Sequence, residues 1–285
     1  MPTFTAPDGT RLAAHLSWDG DADGDGEPVV CLPGGPADSA YLGDLGGLAA
    51  HRALLRLDLR GTGASALPED PASYRCDRLV DDVEALRTHL GLSGIDLLAH
   101  SGGANLAVQY AARYPERVRR LALIGPGTRA AGVEVTGEAR RAVALSRAHE
   151  PWFPEAFAAF EAVAAGTGGD WEAVAPFFWG RWDETARKLH AESRPRNQEA
   201  VRGYGSDGAF DPDATRAALA SLTAPVLLLT GEYDLNSPPA STAGLAALFP
   251  DATLVVQPGA GHYPWHDDAD RFVAATAAFL AARPG

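Results

Sequence analysis

The chain has 285 residues, 46% hydrophobic and 21% charged, with 31 Gly, 21 Pro and a formal net charge of −13. At roughly 100–200 residues per domain, this length gives one large domain or two small ones, and the apolar fraction excludes wholesale disorder and fibrous architectures. The acidic balance argues against a nucleic-acid partner, whose phosphates need a cationic surface, and against anionic lipid, while no apolar run reaches the ~18 residues of a membrane span.

MPTFTAPDGT, the first ten residues, has neither the basic nor the apolar region of a secretory signal. Cys31 and Cys76 are too few for a disulfide scaffold, so a reducing, cytoplasmic setting is expected. Residues 3–5 and 12–18 flank Pro-Asp-Gly and predict a hairpin. The low-complexity segment 19–27 (DGDADGDGE) reads as a solvated loop rather than a calcium site. Residues 27–34, 53–59, 95–100 and 118–125 are short, almost continuously apolar runs. Such runs fit parallel strands covered on both faces. Between them, residues 77–90 place Leu79, Val80, Val83, Leu86 and Leu90 at helical spacing, with Asp77 as the expected cap and Gly91 as the stop. Residues 103–113 predict a second helix, ended by Tyr114-Pro115.

Alternation then ceases. Residues 130–210 are Ala-rich and helical in pattern, with nine aromatics between 152 and 182. Strand and helix signals resume at 225–230, 240–248, 253–257 and 269–281. The expected organisation is therefore an α/β core of residues 1–129 and 211–285, a mostly parallel sheet covered by helices, with a helical cap at 130–210.

The chemistry centres on Ala99-His100-Ser101-Gly102-Gly103, where an apolar strand runs straight into a helix. A serine in that turn sits on strained backbone and needs small residues two before and two after it, here Ala99 and Gly103. The turn presents Oγ at a helix N-terminus, where negative charge is stabilised. A nucleophilic serine needs a base, and the base needs an orienting carboxylate. Asp234 follows the strand at 225–230 and His262 follows the strand at 253–257, in the order Ser, acid, His. Glu232 is the rival acid, and the other seven histidines read as surface or satisfied side chains, with His100 held beside the serine. Backbone amides of Gly102 and of the loop Pro33-Gly34-Gly35-Pro36 are the candidate oxyanion hole.

These motifs resemble the α/β-hydrolases, specifically the proline iminopeptidase-like branch. Pro33-Gly34-Gly35-Pro36 resembles that branch's His-Gly-Gly-Pro-Gly loop, and residues 58–65 (DLRGTGAS) resemble its Asp-x-Arg-Gly-x-Gly-x-Ser segment. The resemblance implies a triad of Ser101, Asp234 and His262, an oxyanion hole at Gly35 and Gly102, and loop-tying roles for Asp58 and Arg60. It departs at Pro33 and Ala37, where the branch has His and Gly, and at Gly102, where the iminopeptidases carry Trp. Their substrate ammonium meets cap glutamates; here Glu155, Glu161, Glu172, Asp183, Glu184 and Glu192 are available. Among the aromatics most are expected to pack the cap, with Trp152, Phe178, Trp179, Trp182 and Asp183 the candidate substrate contacts.

The expected activity is amide or ester hydrolysis through an acyl-enzyme on a small molecule or short peptide, with removal of an N-terminal aminoacyl residue first. Esterase, lactonase or carbon–carbon hydrolase action on a hydrophobic metabolite, and a ligand receptor on a hydrolase scaffold, are the alternatives. No metal and no organic cofactor is implied, and the sequence is silent on oligomeric state.

Overall fold

Eight strands form a single sheet in a computed structural model that describes residues 2–20, 27–193 and 196–282. They are β1 (Thr3–Thr5), β2 (Arg11–Ser17), β3 (Val29–Leu32), β4 (Leu54–Asp58), β5 (Ile95–His100), β6 (Val118–Ile124), β7 (Val226–Gly231) and β8 (Ala252–Gln257), in the order β1-β2-β4-β3-β5-β6-β7-β8. β1, β2 and β4 pair antiparallel, and every other pairing is parallel. The apolar runs of the sequence become the interior strands: every residue of β3, β5 and β7 is buried. Burial on both faces explains why these strands carry no polar alternation.

Two hydrophobic layers enclose the sheet. Helices α1 (Cys76–His89) and α2 (Gly103–Arg113) place Leu79, Val83, Leu86, Leu106 and Tyr110 against one face. The other face is covered by Leu42, Leu45, Trp265 and Phe272. Between β6 and β7 come α3 (Gly137–Ser146), α4 (Phe153–Ala164), α5 (Trp171–Val174), α6 (Glu184–Ala191), α7 (Gln198–Tyr204) and α8 (Pro212–Leu219). After β7 the chain forms α9 (Pro239–Ala246), then α10 (Pro264–Asp267) and α11 (Ala269–Ala281) beyond β8. The helical insertion has a core of its own, in which Phe160, Val174 and Phe177 pack with Leu235 of the loop after β7.

Asp77 does not cap α1. The helix begins one residue earlier at Cys76, and Asp77 pairs with Arg75 at 2.9 Å, lying in the first turn where its charge still suits the helix dipole. Gly91 does end the helix, in the left-handed region at φ +67°. The acidic 19–27 stretch falls mainly on 21–26, outside the described residues. Among the described residues no group of three or more His, Cys, Asp or Glu side chains is placed to hold a metal ion. No described helix is long and apolar enough to cross a membrane.

Below the sheet's C-terminal edge, the segment after β4 is tied down by buried charge. Asp58 accepts from Ser39 N at 3.0 Å, Ser39 Oγ at 2.7 Å and Ala64 N at 2.8 Å. Arg60, 3% exposed, clamps Asp82 of α1 with Nε 2.9 Å from Oδ2 and Nη2 on Oδ1, and reaches Asp8 at 2.5 Å.

Candidate active site

Ser101 stands between the last residue of β5 and the first turn of α2, with φ at +52°. A strand that turns into a helix within two residues has no extended loop to absorb the reversal, so the serine takes a left-handed conformation that a side chain rarely adopts. Ser101 N donates to Ile124 O at 2.9 Å, and Gly127 N donates to Ser101 O at 2.8 Å, which holds the turn from both sides. A Cβ on Gly103 would stand 2.4 Å from Pro33 O, the contact that makes the small residue obligatory.

Three side chains distant in sequence meet here. His262 Nε2 is 2.9 Å from Ser101 Oγ, and His262 Nδ1 is 2.9 Å from Asp234 Oδ2 and 3.0 Å from Oδ1. A carboxylate can only accept, so Nδ1 carries the proton and Nε2 is left to accept from the serine hydroxyl. Asp234 is fully buried, and its Oδ1 also accepts from Asn236 N and Ser237 N, each at 2.9 Å. Glu232, the rival acid, turns away and accepts from Gly259 N at 2.8 Å. Gly125, in the left-handed region at φ +48°, passes beneath the pair: a Cβ there would stand 2.9 Å from Asp234 Oδ2 and 3.1 Å from His262 Nδ1.

Gly34 N donates to Tyr41 Oη at 2.5 Å. The amides of Gly35 and Gly102 donate to no group among the described residues, and a Cβ on Gly102 would lie 2.8 Å from Gly35 N, so the two amides are neighbours. Two free N–H groups beside the serine are what a developing oxyanion requires.

Tyr41 extends this network in a way the sequence did not reveal. Its hydroxyl lies 2.8 Å from His100 Nδ1, while His100 Nε2 lies 2.9 Å from the His262 carbonyl. Since a carbonyl accepts, Nε2 of His100 is protonated and Nδ1 accepts from Tyr41. One buried imidazole thus joins the Gly34 loop to the backbone of His262. Burial first, then the neighbouring His262, pushes His100 well below the usual imidazole range. The fold therefore holds it neutral, whereas the unfolded chain protonates it near pH ~6.5. Its contribution to stability is complete above that pH and lost as pH falls below it, at up to about 1.4 kcal/mol per pH unit. His100→Gln should flatten this part of the acid limb when thermal unfolding is followed from pH 7.5 to about 5; an unchanged slope would remove His100 from the explanation.

The helical insertion meets the site through a strap. His262 N donates to Phe178 O at 2.8 Å, and buried Trp179 packs against Tyr263 with ring centroids 4.8 Å apart. Of the five cap residues expected to touch substrate, Phe178 and Trp179 are brought to the base loop. Trp152 packs edge-on to Phe177 in the insertion's own core, and Trp182 packs against His190. Asp183 caps α6 by accepting from Ala186 N at 3.0 Å. Two further residues escaped the sequence reading. Fully buried Arg147 donates to Trp179 O at 3.0 Å and Gly180 O at 2.9 Å, pairs with Glu150 at 2.9 Å and stacks on Tyr233 at 4.5 Å. Tyr204 of α7 donates to Gly102 O at 2.7 Å, docking the insertion on the serine turn.

Residues 27–269 match the alpha/beta hydrolase fold family. A stretch of 107 residues is 36% identical to a proline iminopeptidase of Heyndrickxia coagulans, covering 37% of each chain, so this chain spans only about a third of that relative. An N-formylmaleamate deformylase of Pseudomonas putida is 30% identical over 225 residues, 79% of this chain and 77% of the relative. The solved proline iminopeptidase of Mycobacterium smegmatis superposes with a TM-score of 0.76 at 25% identity, over 98% of this chain and 97% of that one.

Proposed function

The chain belongs to the α/β-hydrolase fold family, and we propose that it cleaves an amide or ester bond of a small substrate through an acyl-enzyme on Ser101. The observation that carries this reading is the unbroken line from Ser101 Oγ through His262 to Asp234, at 2.9 Å per step. Oγ attacks the substrate carbonyl while His262 Nε2 takes the hydroxyl proton. Negative charge on the carbonyl oxygen is met by the amides of Gly35 and Gly102. The imidazolium, steadied by Asp234, returns its proton to the departing amine or alcohol as the bond to the carbonyl carbon breaks. Water then repeats the sequence on the acyl-serine and releases the acid.

Two relatives frame the substrate. The proline iminopeptidase likeness supports removal of an N-terminal aminoacyl group. Such a substrate brings an ammonium that a carboxylate must meet, and several candidate carboxylates are engaged elsewhere. Glu161 pairs with Arg141, Glu172 pairs with His190 at 2.9 Å, and Asp183 serves as a helix cap. The deformylase likeness, at 30% identity over 79% of this chain, supports a second reading: cleavage of an acyl amide on a small acidic molecule.

Aminoacyl 4-nitroanilides, N-formyl amides that carry a carboxylate, and 4-nitrophenyl esters, assayed side by side, separate these readings. Continuous turnover of at least one class is expected, with an anilide preference supporting the aminopeptidase reading. A burst of one equivalent followed by near-zero turnover on every substrate would instead make the protein a ligand receptor on a hydrolase scaffold.

A further inference from the structure

We propose that Arg196 receives a carboxylate of the substrate, so that the enzyme acts on amides or esters that carry a second, anionic group. This deepens the hydrolase reading above and rests on it.

A cavity of about 470 Å³ adjoins the oxyanion loop. Pro36 to Asp38, which continue directly from Gly35, form one wall, the turn Gly61 to Gly63 forms another, and Arg196 and Asn197 of the insertion close the third. This wall is built rather than loose. Asn197 Nδ2 donates to Gly61 O at 3.1 Å, and its Oδ1 accepts from Glu199 N at 3.0 Å and Ala200 N at 3.3 Å, capping α7. The residue before it is thereby set over the cavity. At the far end of the same short helix, Tyr204 fastens it to Gly102.

Arg196 is exposed on this wall, and its charge is near enough to be felt in the site. It acts on Tyr41, His100 and Tyr263, three groups packed around Ser101 and His262. No carboxylate among the described residues forms an ion pair with it, whereas Arg60, Arg75, Arg141, Arg147 and Arg216 each hold one. Asp38, the one acid on the cavity wall, has its Oδ1 on Ala40 N at 2.7 Å. A guanidinium presents a planar fork of donors that matches a carboxylate and remains charged at any working pH. One such group beside an oxyanion hole draws an anionic substrate and repels a substrate ammonium.

Kinetics of matched substrate pairs test this. Mono-4-nitrophenyl adipate and 4-nitrophenyl hexanoate place or omit the carboxylate on the acyl side; 4-acetoxybenzoate and phenyl acetate do so on the leaving group. In Arg196→Gln, kcat/KM for the anionic member of at least one pair should fall about 10- to 100-fold, the range of a charged hydrogen bond. The neutral members should stay within about two-fold of the parent, and Arg196→Lys should lie between. Added salt should erode the parent's preference for the anion. Equal losses on anionic and neutral members, or no loss in either pair, would overturn the assignment of Arg196 alone. A parent that turns over none of the four would instead bring down the hydrolase reading, and this proposal with it.

Discussion

Ser101→Ala should fold as the parent does and hydrolyse 4-nitrophenyl acetate roughly 10⁴-fold more slowly or worse. The size of the loss follows from what Oγ does. It is the atom 2.9 Å from His262 Nε2, and alanine leaves the imidazole with no hydroxyl to deprotonate. The remaining amides of Gly35 and Gly102 still stabilise an oxyanion, so the residual rate is the attack of water without a covalent intermediate. Stability should change little, because the turn is held by backbone hydrogen bonds of Ser101 N and O rather than by its side chain. Circular dichroism and thermal melts check the fold, and steady-state kinetics check the rate. A variant that keeps more than a few per cent of the parent activity would place the nucleophile elsewhere.

The largest stability effect is expected at Arg60→Met. Arg60 and Asp82 are 3% and 1% exposed, and their paired hydrogen bonds replace the water both lost on burial. Removing one partner strands the other charge in a low-dielectric interior, at a cost of about 3–5 kcal/mol. For a chain of this size that corresponds to a fall in Tm of roughly 5–8 °C. The loss should shrink at acid pH, where the stranded Asp82 takes up a proton, a direction burial already favours by pushing its carboxyl up to about 6. The double variant Arg60→Met with Asp82→Leu should recover most of the stability, since a well-packed apolar pair is often no worse than a buried ion pair. Urea unfolding measures both; a single variant within about 1 kcal/mol of the parent would show that the pair is not needed. The effect reaches the site as well, because the same segment carries Gly61 to Gly63, the wall opposite Arg196.

Ser101, Asp234 and His262 were legible in the sequence because each lies just past an apolar strand, and parallel strands deliver all such ends to one edge of the sheet. The limits of β5, α2 and α11 were legible for the same reason: an unbroken apolar run or a helical period bounded by Gly or Pro leaves little choice. Asp77 misled because a side chain that caps in isolation was captured by Arg75 two residues before it. Tyr41 was invisible because its partner His100 lies 59 residues away and a lone tyrosine in a loop carries no period. Arg147 reads as a solvated residue of an Ala-rich helix; only tertiary packing shows it buried against Tyr233 and two carbonyls. Gly125 reads as a strand terminator, whereas its reason is the space that Asp234 and His262 occupy. The nine aromatics pointed to packing within the insertion, but not to which of them face the base loop, since that depends on how the strap at Phe178 meets His262 N.

Mass spectrometry of the covalent intermediate tests the central claim most directly. Parent enzyme is mixed with 4-nitrophenyl acetate, quenched in acid during turnover and digested for peptide mapping. One acetyl group should be found on Ser101, absent from Ser101→Ala and formed far more slowly in His262→Ala. An acetyl group on any other side chain, or turnover with no modified peptide, would contradict it.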